Sequence, residues 1–178
     1  IPHLADENYV RQMARLFRDG LTGDQTIYVE YSNEVWNWLF DQTHYGNDSL
    51  DQNMPWPERV APRIAEVMQW WTEEFAGQEE HLVRVLGLQN GYFDIGDRIF
   101  RQMRTDGHGD LIDALSPSGY ISYDSEEIAA LGANATGADI IASSRRLSFD
   151  ESQWLMQNWR QTAALANEYD KQLVFYEA

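Results

Sequence analysis

Two glutamates stand where hydrophobic runs end. One closes Val29-Glu30-Tyr31-Ser32-Asn33-Glu34 and the other closes Leu173-Val174-Phe175-Tyr176-Glu177. Strand interiors favour Val, Tyr and Ile, and tight turns favour Gly or Pro. Asn33-Glu34 is neither, and Trp36 and Trp38 follow it closely. Two facing carboxylates are what cleavage of a glycosidic bond requires. One is protonated and donates to the leaving oxygen; the other is ionised and attacks the anomeric carbon or activates water. Each glutamate also has an ordinary structural reading. Glu34 suits a helix start, where the dipole favours negative charge, and Glu177 suits a solvated chain segment.

The elements that must position these residues alternate along the chain. Asp6 can cap a helix over 6–19, with Val10, Met13 and Phe17 at helical spacing and Gly20 ending it. Residues 26–32 read as a strand, 36–45 as a helix or loop, and 46–57 as a polar, proline-containing loop. A helix is predicted over 58–75, from the stripe Val60, Ile64, Val67, Trp71 and Phe75. A strand follows over 81–89, a helix over 93–104 and a short strand over 111–115. Helical pieces over 125–131 and 137–144 precede a long helix over 150–169 and a closing strand over 171–178.

Near-continuous apolar strands alternating with amphipathic helices indicate an α/β fold with a parallel sheet. A (β/α)8 barrel needs about 250 residues, so four strands would supply about half of one. A doubly wound open sheet is the competitor. No strand is followed by GxGxxG or GxxxxGK[ST], which removes the best argument for a nucleotide. In parallel folds ligands sit at the C-terminal ends of the strands. There stand Ser32-Asn33-Glu34, Gln89-Asn90-Gly91-Tyr92, Ser116 to Tyr120, and Tyr176-Glu177.

Composition narrows the partners. A net charge of −16 argues against nucleic acid and against anionic membranes. No apolar run approaches the roughly 20 residues of a membrane span. The chain has no cysteine, which excludes disulfides and thiolate metal sites. Its four histidines never form a cluster with carboxylates at HExxH or similar spacing, so no catalytic metal is expected. A Ser-His-Asp mechanism lacks its GxSxG elbow. Seven Trp and nine Tyr suit a cleft for flat pyranose rings, though each also suits a bulky core.

VEYSNEVWN resembles the fourth-strand motif of clan A glycoside hydrolases, and LVFYEA resembles the seventh strand of that clan. The opening IPH is similar to the end of the third strand. The resemblance spans the whole chain and implies one partial (β/α)8 barrel domain over 1–178, truncated at both ends. It implies that Glu34 is the general acid/base and Glu177 the nucleophile. It implies that Asn33 holds a sugar 2-hydroxyl and that Tyr120 is the tyrosine that hydrogen-bonds the nucleophile, although SPSGY is not a standard form of that loop. Trp56, between Pro55 and Pro57, is the platform candidate, and His3 is a candidate to line the cleft. The implied reaction is retaining hydrolysis of a β-linked polysaccharide by a secreted enzyme whose signal peptide is not in this sequence. Half a barrel with two open sheet edges is expected to be poorly soluble and inactive by itself. The alternative is a non-catalytic carbohydrate-binding protein on the same barrel. Sugar, linkage, endo or exo action and oligomeric state stay open.

Glu30 poses a separate question. Strand parity puts it on the side of Ser32 and Glu34. If that side is interior, its charge needs a partner, and Arg84 on the next strand is the candidate.

Overall fold

The structure, a computed structural model, describes residues 1–177. In chain order the elements are α1 (Glu7–Gly20), β1 (Ile27–Glu30), α2 (Asp41–Asp48), α3 (Ala61–Glu74), β2 (Leu82–Leu88) and α4 (Phe93–Thr105). There follow β3 (Ala114–Pro117), α5 (Ser125–Leu131), α6 (Gly137–Phe149), α7 (Trp154–Glu168) and β4 (Gln172–Leu173). The four strands form one sheet in the order β1-β2-β3-β4, and every neighbouring pair is parallel. A doubly wound sheet reverses its strand order at a switch point, and this sheet does not. The architecture is α/β and compatible with part of a (β/α)8 barrel.

The two faces of the sheet differ. Val29, Leu86, Leu88 and Leu115 face the main core, packed with Ile64, Met68 and Trp71 of α3 and Ile99, Phe100 and Met103 of α4. Leu165 and Ala166 of α7 complete it. Among the described residues, the opposite face carries a small cluster of Val83, Val85 and Ala114, with Val174 against it. Helices thus cover one face and leave the other thinly populated, which is the arrangement of a barrel wall.

Local chemistry explains where elements begin and end. Asp6 caps α1 by accepting from Tyr9 N at 2.8 Å. The predicted helix over 58–75 opens as a 3₁₀ turn, Glu58–Val60, and becomes α-helical at Ala61. Pro62, with no N–H to lose, sits in its first turn. The predicted 111–115 strand lies later, at Ala114–Pro117, because a 3₁₀ turn at Gly109–Leu111 takes up its start. The predicted 150–169 helix is shorter. Asp150 accepts from Ser152 N at 2.9 Å and makes a turn between α6 and α7, the local bonding by which Asp competes with helix. The closing strand is paired only at Gln172–Leu173, although Val174 N still donates to Leu115 O at 3.1 Å. Ala178, at the end of that predicted strand, lies outside the described residues.

Arg84 is not the partner of Glu30. Register pairs Arg84 with Val29 and Glu30 with Val85, so the two side chains leave opposite faces. Arg84 instead donates to Asp113 Oδ2 at 2.8 Å and Oδ1 at 2.7 Å, and to Thr72 Oγ1 of α3 at 2.9 Å. Burial works against the Asp113 charge, but the hydrogen bonds from Arg84 outweigh it and hold the carboxyl below its ordinary range.

Candidate active site

Glu34 lies just past β1, in a backbone conformation that only the local turn justifies. Its φ is 45°, the left-handed region that costs a side-chain-bearing residue about 1 kcal/mol or more. The turn is pinned from two directions. Asn37 N donates to Glu34 O at 2.9 Å. Thr43 of α2, fully buried, donates from Oγ1 to Asn37 O at 2.7 Å. Strained backbone held by surrounding structure is characteristic of functional positions.

Among the described residues, the carboxylate of Glu34 has two hydrogen-bond partners. Asn37 Nδ2 donates to Oε2 at 2.7 Å, and Tyr176 Oη donates to Oε1 at 2.8 Å. Burial, then the hydrogen bond to Glu34, raise the Tyr176 phenol above the ordinary tyrosine range, so it stays a donor. This contact joins opposite edges of the sheet. Two strands that are three spacings apart are about 14 Å apart when a sheet is flat. The segments that leave β1 and β4 therefore lean toward each other over the thinly covered face.

Glu34, Asn37 and Tyr176 line a cleft of about 540 Å³ at the C-terminal ends of the strands. Trp36, Trp38, Tyr120 and Trp154 give it aromatic walls, and Gln89, Asn90, Ser118 and Ser122 supply amides and hydroxyls. Trp36 is buried, whereas Trp38 and Trp154 are 51% and 59% exposed. Below the cleft, on the same face, a cavity of about 470 Å³ is lined by Glu30, Ser116 and Tyr176 among others.

Glu30 occupies the space that a glycine leaves. A Cβ on Gly87 would stand 1.9 Å from Glu30 Oε1. Burial pushes the Glu30 carboxyl up to about 7, and the nearby Glu34 charge adds to the shift.

The residues singled out in the sequence are not all brought together. Glu34 and Tyr120 line the cleft, and Tyr120 is 48% exposed. Glu177 is exposed, and its side chain is not part of the cleft lining; its carbonyl accepts from Gly119 N. What reaches Glu34 from that segment is Tyr176. Asn33 is exposed and outside the lining, and its carbonyl accepts from Gln42. Trp56 is half-buried behind the cleft wall, with its ring centroid 5.6 Å from that of Trp38. It packs against Trp38 and is not part of the cleft lining. His3 lies behind β1, its ring 5.3 Å from Tyr45 and its carbonyl accepting from Tyr31 Oη at 3.1 Å.

Cleft residues that carried no assigned role in the sequence include Asn37, Tyr176, Trp154 and Asn90. Asn90 and Tyr176 were legible as rim positions, because they follow strands. The other two had no such signal. Among the described residues, no group of three or more His, Asp or Glu side chains gathers as a metal site. Among the same residues, no helix is long and apolar enough to cross a membrane.

No family model, no curated protein and no solved structure gives a significant match to this chain.

Proposed function

We propose that this chain carries the catalytic carboxylates of a retaining glycoside hydrolase acting on a β-linked polysaccharide. The carrying observation is the Glu34 carboxylate, fixed by Asn37 and Tyr176 inside an aromatic- and amide-lined cleft at the strand ends. In the first step Glu34 gives its proton to the glycosidic oxygen as the bond to the anomeric carbon breaks. A Glu177 oxygen bonds to that carbon. In the second step Glu34 takes a proton from water, the water oxygen bonds to the anomeric carbon, and Glu177 leaves. This role requires the exposed Glu177 side chain to turn into the cleft beside Tyr176. No cofactor enters the scheme.

The placement of Glu177 outside the cleft lining favours a second reading, a carbohydrate-binding protein without turnover. One experiment separates the two, performed on the protein as its gene encodes it. Hydrolysis of aryl β-glycosides is followed by proton NMR for Glu34→Gln and Glu177→Gln against wild type. The enzyme reading expects first-formed products of retained configuration. It expects Glu34→Gln to lose about 10²–10⁴-fold with poor leaving groups, with azide restoring turnover on activated ones. It expects Glu177→Gln to be inactive on all of them. Inverted products remove Glu177 as nucleophile. Sugar binding without any wild-type hydrolysis establishes the second reading.

A further inference from the structure

The cleft contains polar side chains that the fold does not use. Among the described residues, no protein group hydrogen-bonds the side-chain amides of Gln89 or Asn90, and Asn90 Oδ1 is shut off from solvent without a partner. The Asn90 amide thus keeps hydrogen-bonding capacity that the fold does not use, open to a ligand hydroxyl once the amide turns toward it.

Beside these amides stands Trp154, the first residue of α7. Its neighbourhood is built to hold the indole. A Cβ on Gly91 would lie 3.3 Å from Trp154 Cζ3, so the ring rests against a position kept clear by glycine. The start of α7 is tied to the same loop, because Phe93 N donates to Asn158 Oδ1 at 3.1 Å and Asn158 Nδ2 donates to Trp154 O at 2.8 Å. More than half of the indole nonetheless stays exposed. A large aromatic that is fixed in place and left bare is a binding surface more than a packing residue.

Charge selects among possible ligands. Glu34 is the one charged side chain among the described residues that line the cleft, and no Lys or Arg stands there. With a net charge of −16 for the chain, uronate or sulfate groups would enter an unfavourable field without a cation to meet them. Amides paired with an aromatic face suit hydroxyl-rich, uncharged rings, whose axial hydrogens stack and whose hydroxyls both donate and accept.

We infer that Trp154, Gln89 and Asn90 form a second sugar subsite next to Glu34, which takes an uncharged pyranose of a neutral polysaccharide chain. The inference deepens the carbohydrate reading of the cleft and rests on it.

The test uses the protein as its gene encodes it, in a Glu177→Gln background that prevents turnover and keeps the Glu34 charge in the cleft. Calorimetric titration compares cellohexaose, xylohexaose and mannohexaose with hexagalacturonate. Binding of at least one neutral hexasaccharide, tighter than that of hexagalacturonate, is expected. Trp154→Ala should weaken it about tenfold, and Asn90→Ala should weaken it severalfold. Trp154→Phe, which keeps an aromatic face, should retain most of the affinity and guards against a folding defect, checked by circular dichroism. Equal affinity of Trp154→Ala and its parent overturns the subsite, and preference for hexagalacturonate overturns the ligand class. Failure here is distinguishable from failure of the catalytic reading. If Glu34-dependent hydrolysis persists while Trp154→Ala binds normally, the subsite alone is wrong. If Trp154→Ala weakens binding while wild type shows no hydrolysis, the subsite stands and the catalytic reading falls.

Discussion

Glu30 sets a pH-dependent limit on stability. Its carboxyl titrates near 7 in the folded chain against an ordinary 4.5. The folded state therefore holds this proton more tightly than the unfolded state. Stability is highest below about pH 4.5 as far as this group is concerned, falls between 4.5 and 7, and levels off above. Glu30→Gln should remove that slope. Urea denaturation at about pH 8 should show the variant on the order of 2 kcal/mol more stable than wild type, with little difference near pH 4.5. An equal gain at both values would show that the effect is not ionic. Tyr176→Phe should act at the site instead. It removes one charge-assisted hydrogen bond from Glu34, and under the proposed mechanism kcat/KM should fall about tenfold or more with the fold intact. Gly87→Ala belongs with these two, because the added methyl would displace the Glu30 carboxyl.

At the scale of elements, the pairing of Arg84 with Asp113 clamps β2 to the segment entering β3, and Thr72 extends the clamp to α3. Arg84→Ala leaves a partly buried carboxylate without its donors and should cost about 2–3 kcal/mol in chemical denaturation. The Asp113 carboxyl is held low in the folded state, so this contribution is present above its ordinary 3.8 and is lost as pH falls through the lowered value. The variant's deficit should shrink toward acid pH. Much of this level was legible in the sequence. Val10, Ile64, Val67 and Trp71 are as buried as their periodicity required. Leu155, Thr162 and Ala166, at helical spacing within the predicted 150–169 helix, are buried in α7 as well. Trp154 was read only as part of that helix. Its role depends on Gly91, 63 positions earlier, and no periodicity encodes such a pair. Arg84 was misassigned for a similar reason. Adjacency of strands was readable, but the register that sends Arg84 and Glu30 to opposite faces was not.

For the molecule as a whole, one sheet face is packed under helices and the other carries the cleft and the cavity beneath it. Stability therefore resides mainly on the helical side. Trp71 is 1% exposed in the middle of it, and Trp71→Ala should cost about 3–5 kcal/mol by thermal or urea denaturation. The charge of −16 acts on the whole fold through self-repulsion. Raising NaCl from about 20 to 200 mM should raise the Tm, since the Debye length falls below the distances between most surface charges. A Tm that falls with salt would mean that attractive pairs, such as Arg11 and Arg15 with Glu74, outweigh the net charge.

The bond between Tyr176 and Glu34 also imposes an order in time. The two residues are 142 positions apart. A ribosome adding about 5–20 residues per second reaches the tyrosine roughly 7 to 28 s after the glutamate. Through that interval the growing chain can fold its first strands and pair the carboxylate with Asn37, yet it lacks the second donor that fixes its other oxygen. Full fixation of the Glu34 carboxylate is thus one of the last features the nascent chain acquires, and a polypeptide interrupted before position 176 would carry the glutamate without the tyrosine that holds it.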